Sequence, residues 1–498
     1  MSGGLDARVG VLTGHGLGRR ALSLGGANAI DYTLQFLLPV VLVRCLDAEA
    51  FGQYRLLWLA VGTVMAVVTM AMPGSLYYFL PRSEGAAKRL YINQALLFLA
   101  AAGLIAGWAV SSWNPWLPEK MRGLARHEAI VPLFVLLWMV ASLLDLLPTV
   151  EERVMWQAKA TVGLAALRTV TLSLAAMLTR ELEPVLLVLL AFVAFKVALL
   201  LSYVARYHGL RGPLLRRRSF SDQLRYAAPI GAAGALWGLR WQADQWVAAA
   251  LFSVGMFASF SIATVLGPLV HLCRHSVFHA SLPSLSRLQA AGDIAGMLDL
   301  KSRANVMVGA LVYPLLAFAF VFAEEIVTII YTATYLDAAP VMRVSILGHA
   351  AVVVELTSIL QLLRQGVFTI RVGLIALILS VVLSWLSAHP FGLAGAAVGS
   401  VIAIYFDLIA TLRQVSLRTG VPLKHLQDWR ALGLSILLAA LAAAFAWGVT
   451  DLYFASGRPL VRLIVGGASL AAAYTAMAAL FGMHRGWLVA VRNPEHGL

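Results

Sequence analysis

Residues 183–205 read EPVLLVLLAFVAFKVALLLSYVA, and this stretch decides the class of fold. It carries two charged side chains, Glu183 at its edge and Lys196 near its centre. About 20 residues of α-helix cross the hydrocarbon core of a bilayer. The stretch therefore predicts a membrane-spanning helix that holds one cation inside the membrane.

The composition of the whole chain agrees with a membrane protein. Of its 498 residues, 60% are hydrophobic and 12% are charged, whereas soluble domains carry about 25% charged residues. The mean hydropathy is +0.83. The two cysteines, Cys45 and Cys273, exclude a disulfide framework and a cysteine-rich metal site.

Similar apolar runs along the chain predict fourteen spanning helices, and hence an all-α integral membrane protein. The first run is too long and too polar to be a cleaved signal peptide. The runs are 21–45, 55–80, 91–111, 129–149, 158–178, 183–205, 225–250, 254–283, 303–331, 340–363, 367–388, 391–413, 431–453 and 459–483.

Basic residues are distributed unevenly between the two sides of the predicted bundle. With the N-terminus inside, the inner segments carry 25 of the 38 Lys and Arg residues, the outer segments carry 8, and the spans hold 5. This asymmetry follows the positive-inside rule and predicts that both termini are cytoplasmic. The net charge of +14 then reflects topology and contact with anionic lipid, and it does not indicate nucleic-acid binding.

An internal repeat divides the chain into two halves. Residues 41–57 (VLVRCLDAEAFGQYRLL) and 247–263 (VAAALFSVGMFASFSIA) each follow the first helix of a half, and they align at a constant offset of 206. Two six-helix halves of the same orientation are typical of transporters with a site at mid-membrane. The matched pairs are Val41 with Val247, Phe51 with Phe257 and Tyr54 with Phe260.

The predicted organisation is two pseudo-symmetric six-helix lobes followed by two further helices. Its limits are 1–20 for a cytoplasmic N-terminus, 21–205 for the first lobe, 206–224 for a basic cytoplasmic linker, 225–413 for the second lobe, 431–483 for the last two helices and 484–498 for a cytoplasmic tail.

Four short motifs stand out: 44–54 (RCLDAEAFGQY), 77–82 (YYFLPR), 243–246 (ADQW) and 391–397 (FGLAGAA). Together they resemble polysaccharide transporters, the flippases of O-antigen and exopolysaccharide units in the multidrug/oligosaccharidyl-lipid/polysaccharide (MOP) superfamily. The first motif departs from the family pattern, because Asp47-Ala48 replaces a Gly-Pro that is often found in that outer hairpin.

The resemblance implies a V-shaped pair of lobes that transports by alternating access. The implied cargo is an undecaprenyl-diphosphate-linked oligosaccharide, moved from the cytoplasmic to the outer leaflet of a bacterial inner membrane. The implied partners are this cargo, membrane lipids, and the polysaccharide polymerase and glycosyltransferases of the same biosynthesis. The chain is then a transporter and not an enzyme, it has no cofactor, and helices 13 and 14 are an appendage.

Polar side chains inside the spans are the candidate site residues, because a charge in hydrocarbon must face a wet cavity or a partner. Asn28, Asp31 and Gln35 lie at helical spacing on one face of helix 1. This face lines a cavity or forms hydrogen bonds between helices.

The first half contains two cations within its spans, Arg168 and Lys196. They either attract a diphosphate or pair with Asp31 or Asp145. Both outcomes are open at the level of sequence.

The second half offers Arg240 and Asp244, one helical turn apart, and Arg274. Arg240 and Asp244 either form an intrahelical ion pair or open to bind a diphosphate or a proton. The predicted cavity set is Asn28, Asp31, Gln35, Arg168, Lys196, Arg240, Asp244 and Arg274.

Three histidines in helix 8 repeat every four residues and form one stripe, His271, His275 and His279. Imidazole titrates near neutrality, so the stripe suits proton coupling; the alternative is a polar face satisfied by neighbouring helices. Glu355 and Asp407 are further candidates for ion coupling. A metal site is not expected, because no HExxH motif or suitably spaced carboxylate accompanies the histidines.

Two rival functions remain. An ion-coupled exporter of small cationic drugs on the same fold requires an acidic pocket. A membrane-embedded polysaccharide polymerase or glycosyltransferase requires a catalytic domain or a long outer loop, and the longest predicted outer loop, 112–128, is too short to hold one.

Overall fold

The computed structural model describes residues 14–116, 118–127, 129–209, 211–455 and 457–481. The chain divides into two compact units, Met1–Leu239 and Arg240–Leu498. The division falls within a long helix, beyond the basic segment 206–224, and the domain limits drawn from the sequence stay a prediction. Most of the segment 1–20 and all of 484–498 lie outside the described residues.

The first unit consists of helices joined by short turns. Helix α1 packs along α8, α4 packs on α6, and α9 packs on both α6 and α8. The helices are α1 (Gly14–Cys45), α2 (Ala48–Val68), α3 (Leu76–Phe79), α4 (Ala86–Ala109), α5 (Arg122–Ala125), α6 (Ile130–Ala141), α7 (Leu147–Val150), α8 (Val154–Thr179), α9 (Leu182–His208) and α10 (Arg217–Leu251), which continues into the second unit.

The second unit is also helical. Helix α13 packs on α12 and α18, and α15 packs on α17. The helices are α11 (Val254–Ala263), α12 (Leu266–Ala290), α13 (Ile294–Val321), α14 (Ala323–Tyr331), α15 (Ala338–Val352), α16 (Thr357–Leu362), α17 (Gly366–Thr419), α18 (Trp429–Phe454) and α19 (Pro459–Leu480).

The helices account for the predicted membrane spans. Eleven helical segments of the described chain are long and apolar enough to cross a bilayer. One of them, α17, contains two predicted spans that are joined by a bend at Gly392. The φ of Gly392 is 59°, in the left-handed region that glycine adopts most easily. Helix α10 and the broken pair α15–α16 occupy the positions of the seventh and tenth spans. The chain is therefore an all-α, multi-pass membrane protein of about fourteen transmembrane helices.

Two predicted spans are interrupted four residues before a proline. The predicted span 55–80 ends as a helix at Val68, and the predicted span 254–283 breaks at Thr264. A proline ring clashes with the carbonyl of the residue four positions earlier. That residue is Thr69 for Pro73 and Thr264 for Pro268. Other prolines of the chain do not interrupt their helices, because Pro39, Pro229 and Pro314 lie inside continuous helices.

The internal repeat reappears in the local geometry of the two units. Asp47 caps helix α2 by accepting a hydrogen bond from the Ala50 amide at 2.7 Å. Ser253 caps α11 by accepting from the Met256 amide at 3.3 Å. Both cap residues and both amides are related by the offset of 206. The Asp47 that departs from the family pattern is therefore a helix N-cap.

Helices α18 and α19, which are the thirteenth and fourteenth predicted spans, pack against other helices of the second unit. The Tyr474 hydroxyl donates to the Ala310 carbonyl at 3.0 Å, and Arg462 forms an ion pair with Glu325 at 3.3 Å. Gly466 lies so close to the Phe322 ring that a Cβ at this position would be 2.4 Å from it. Both helices are thus packed onto the rest of the second unit.

A charged cluster lies where α7 meets α8, outside the membrane span. Glu151 accepts hydrogen bonds from the Tyr203 hydroxyl and pairs with His208, and Arg153 lies 3.8 Å away. Burial raises the pKa of the Glu151 carboxyl, but the bonds from His208 and Tyr203 lower it more, so the pKa lies below its ordinary value of 4.5.

Candidate functional site

A polar cavity of about 150 Å³ lies inside the first unit. Side chains from α1, α8, α9 and the 3-10 turn Ser142–Asp145 converge on it. Its polar lining consists of Asp31, Gln35, Asp145, Gln157, Thr161, Arg168 and Lys196. Four of the eight residues predicted to form a cavity are therefore brought together, Asp31, Gln35, Arg168 and Lys196.

The first ion pair of this cavity joins α8 to α1. The Arg168 Nη2 lies 3.7 Å from Asp31 Oδ1, and the other oxygen of Asp31 accepts from the Gln35 amide at 2.7 Å. The distance leaves Arg168 loosely held. Its Nε is buried and donates to no acceptor among the described residues. The guanidinium therefore keeps donor capacity for an oxyanion.

The second ion pair joins α9 to the turn that interrupts the fourth span. Lys196 Nζ contacts Asp145 Oδ2 at 2.8 Å. The Lys196 side chain is only 8% exposed, whereas Asp145 is exposed. The ammonium also lies 5.1 Å from the centroid of the Trp138 ring, within the range of a cation–π interaction. Lys196 is thus a buried cation whose carboxylate partner faces open space.

Of the two open alternatives for this half, the structure shows the pairing with carboxylates. Arg168 and Lys196 both line a cavity and both pair with a carboxylate, Asp31 for the first and Asp145 for the second. Gln157 adds a buried carbonyl oxygen without a hydrogen-bond partner among the described residues. Asn28 is exposed and does not line this cavity.

In the second unit, Arg240 pairs with Asp407 of α17, with 2.8 Å between Nη2 and Oδ2. The expected alternative of an intrahelical pair between Arg240 and Asp244 is wrong. The Asp244 carboxylate instead interacts with the Gln245 amide at 2.8 Å and with Ser400. Asp407, considered from sequence as a site of ion coupling, is the counter-ion of Arg240.

Arg274 is the third candidate of the second unit. Its guanidinium interacts electrostatically with Glu355 and Asp407, which attract it, and with Arg240, which repels it. It forms no ion pair among the described residues, and its Nε is buried without an acceptor there. Arg240, Asp407 and Arg274 therefore form one electrostatic group.

Glu355 takes part in a buried network. Its carboxylate pairs with Lys301 and accepts from the Ser358 amide and hydroxyl, both at 2.9 Å. The Lys301 and Glu355 side chains are 3% and 4% exposed. Asn305 bridges the Glu355 carbonyl at 3.1 Å and Gln427 at 3.0 Å. These contacts favour a structural role over the predicted ion coupling.

The sequence reasoning missed Lys301 and His349. Lys301 lies at the edge of a predicted span, next to exposed charges, so burial was not expected there. His349 is a single histidine in an apolar helix; it is 7% exposed, and neither ring nitrogen has a partner among the described residues. Its ring stacks on Trp241 with centroids 6.5 Å apart.

His271 is the first residue of the predicted histidine stripe. Its ring also lies beside Trp241, with ring centroids 6.3 Å apart. His275 and His279 lie outside the described side chains. Among the described residues, no group of three or more His, Cys, Asp or Glu side chains is placed to hold a metal ion.

Comparison with known proteins identifies solved structures with a similar fold. No family model matches the chain, and no curated protein matches it either. Among solved structures, the chain is similar to the lipid II flippase MurJ in an inward closed conformation, with a TM-score of 0.68 and 12% identity over 92% of this chain and 99% of that one.

Two further solved structures share the fold. An inward-facing multidrug resistance MATE family transporter of the MOP superfamily gives a TM-score of 0.59 and 12% identity, over 78% of this chain and 94% of that one. A MOP superfamily transporter from Pyrococcus furiosus gives 0.54 and 13%, over 80% and 95%. The resemblance found in the sequence motifs is confirmed at the level of fold.

Proposed function

Because the chain has the fold of MOP-superfamily transporters, we propose that it is a transporter of lipid-linked oligosaccharide. The cargo is an undecaprenyl-diphosphate-linked repeat unit of O-antigen or exopolysaccharide. The chain moves it from the cytoplasmic to the outer leaflet by alternating access.

The observation that carries this proposal is the cavity with Arg168 and Lys196. A diphosphate is a double anion, and its passage through a medium of low dielectric constant requires cations. The two cations of the cavity are neutralised at rest by Asp31 and Asp145. An arriving diphosphate can replace these carboxylates, because guanidinium and ammonium groups bind phosphate oxygens as readily as carboxylate oxygens.

The extent of the structural match supports the same cargo class. The lipid II flippase structure matches 92% of this chain, and the MATE family structure matches 78%. The longer match is with the protein whose described substrate is a lipid. Helices α18 and α19, which are packed onto α13, extend the chain beyond twelve spans.

A second candidate is an exporter of small cationic drugs. It is favoured by the same cavity, since Asp31 and Asp145 are carboxylates that can bind a cation once their own cations move away. The MATE family structures share the fold. The two proposals differ in which charge of each pair contacts the cargo.

The proposed location is the inner membrane of a bacterium, with both termini in the cytoplasm. The distribution of Lys and Arg supports this orientation. The proposed partners are membrane lipids and the glycosyltransferases and polysaccharide polymerase that make and consume the cargo.

The proposal is tested with the full chain reconstituted in lipid vesicles. One set of vesicles carries undecaprenyl-diphosphate oligosaccharide, whose exposure on the far leaflet is followed with a lectin. A second set is used to follow uptake of ethidium, a cationic drug. The proposal predicts protein-dependent exposure of the glycan. Uptake of ethidium without glycan exposure would instead establish the exporter.

A further inference from the structure

The basic segment between α9 and α10 is fixed against α4. The Asn93 side-chain amide donates to the Pro213 carbonyl at 2.9 Å, and the Arg216 backbone amide donates to the Gln94 side chain at 3.1 Å. Gly212 lies against Arg89, and a Cβ at this glycine would be 2.6 Å from Arg89 Cγ. The segment that the sequence presents as a linker therefore has a defined position.

A series of buried side-chain hydrogen bonds stabilises this arrangement. Gln94 donates to Gln223 at 3.1 Å, and Gln223 donates to the Ser75 hydroxyl at 2.8 Å. Both glutamine side chains belong to fully buried residues. Buried polar groups with satisfied hydrogen bonds favour one arrangement over others. The network thus joins α4, α10 and the turn before α3.

Aromatic rings extend the same surface. The Arg82 guanidinium lies 3.9 Å from the centroid of the Tyr78 ring, and Tyr78 stacks on Tyr226 of α10 at 4.7 Å. Tyr78 and Tyr226 are exposed. A tyrosine ring with a polar tip suits the boundary between lipid and water.

This surface is strongly basic. We call it the basic platform; its charged residues carry eight positive and two negative charges, and none of them forms an ion pair in the part of the chain that the structure describes. Two exposed leucines, Leu214 (65%) and Leu215 (58%), lie between its arginines. The basic residues are Arg82, Lys88, Arg89, Arg211, Arg216, Arg217, Arg218 and Arg225, and the acidic ones are Glu84 and Asp222.

We propose that the basic platform binds the anionic phospholipid headgroups of the cytoplasmic leaflet, with Leu214 and Leu215 inserted at the boundary of headgroups and acyl chains. Unpaired arginines are complementary in charge to an anionic leaflet, and adjacent exposed leucines are typical of segments that lie in the membrane interface. The platform begins next to His208, where the span α9 ends, so it lies at the bilayer surface. The inference goes beyond the proposed cargo and holds for either transport function.

The test uses the full-length protein in detergent, titrated with dioleoyl phosphatidylglycerol or dioleoyl phosphatidylcholine, with bound lipid counted by native mass spectrometry. The wild type should retain the anionic lipid preferentially. Arg216→Gln, Arg217→Gln and Arg218→Gln combined should lower its apparent affinity by about tenfold or more, because each basic residue near an anionic surface contributes to binding. Leu214→Ser with Leu215→Ser should weaken retention of both lipids.

The matched control replaces three exposed basic residues of the predicted outer loop 112–128, Lys120→Gln, Arg122→Gln and Arg126→Gln. It should leave the preference for phosphatidylglycerol unchanged. An equal loss in the control, or equal retention of the two lipids by the wild type, would overturn the proposal. Displacement of phosphatidylglycerol by inorganic pyrophosphate would also overturn it, since the platform would then be a site for soluble anions. If the triple variant does not fold, Arg82→Gln with Arg225→Gln replaces it, because both side chains are exposed.

Discussion

Removal of Lys301 should strongly destabilise the second unit. In Lys301→Met, Glu355 keeps its bonds to Ser358 but loses its counter-ion at a position where its side chain is 4% exposed. An unpaired buried charge of this kind costs about 3–5 kcal/mol. The loss is measured by chemical or thermal unfolding of the purified protein in detergent.

The neutral double variant Lys301→Met with Glu355→Gln separates charge from packing. It removes both charges while the glutamine still meets Ser358, so most of the lost stability should return. Arg303→Met is the matched control. It breaks an exposed pair with Asp299, which should change stability by about 0–1 kcal/mol. If Lys301→Met unfolds like the wild type, or the double variant is no more stable than the single one, the network is not held by this ion pair.

Three further predictions concern topology, pH and packing. Alkaline phosphatase fused after Leu498 should be inactive and green fluorescent protein there should fluoresce; the reverse pattern contradicts cytoplasmic termini. The folded-state pKa of Glu151 lies below its ordinary value of 4.5, so its contacts stabilise the protein at higher pH. This stabilisation is lost as the pH falls through 4.5 towards the folded-state pKa. Unfolding measured against pH should show this dependence in the wild type and not in Glu151→Gln. Gly399→Val should destabilise the α17 hairpin by about 1–3 kcal/mol, because a Cβ there lies 2.1 Å from the Ser384 amide nitrogen; unchanged thermal stability would contradict the packing.

The helical membrane fold could be predicted from composition, because apolar runs of sufficient length admit few other structures. The breaks at Thr69 and Thr264 were not predicted, because a proline alone does not identify them: Pro39, Pro229 and Pro314 lie inside continuous helices. The repeat was visible in the sequence as three matched pairs of residues. The structure adds a fourth pair, the helix N-caps Asp47 and Ser253.

The partners in the ion pairs were harder to predict from the sequence. Arg240 meets Asp407, 167 residues away, although Asp244 lies one turn along the same helix. Sequence spacing identifies which charges share a helix face, but the choice of counter-ion depends on how helices pack. For Arg168 and Lys196 the sequence offered Asp31 and Asp145 as possible partners, because few carboxylates lie within the spans of the first half, but it did not assign one to each cation.

Burial at the ends of helices was missed for a related reason. Lys301 lies between Asp299 and Arg303, which form an exposed pair. Its own side chain points into the network of Glu355 and is 3% exposed. The helical face that a residue occupies near a span end depends on contacts with α15 and α16, and hydropathy does not report them.

Neutral double variants of the two cavity pairs test the central claim most directly. In Arg168→Leu with Asp31→Asn, and in Lys196→Met with Asp145→Asn, no buried charge is left unpaired, so folding should be preserved. If the cations bind the diphosphate, transport of undecaprenyl-diphosphate oligosaccharide in vesicles should fall by about tenfold or more in both double variants, as expected for the loss of a charge-assisted contact. Wild-type transport by both double variants would contradict the account, because the cations would then serve only to neutralise Asp31 and Asp145.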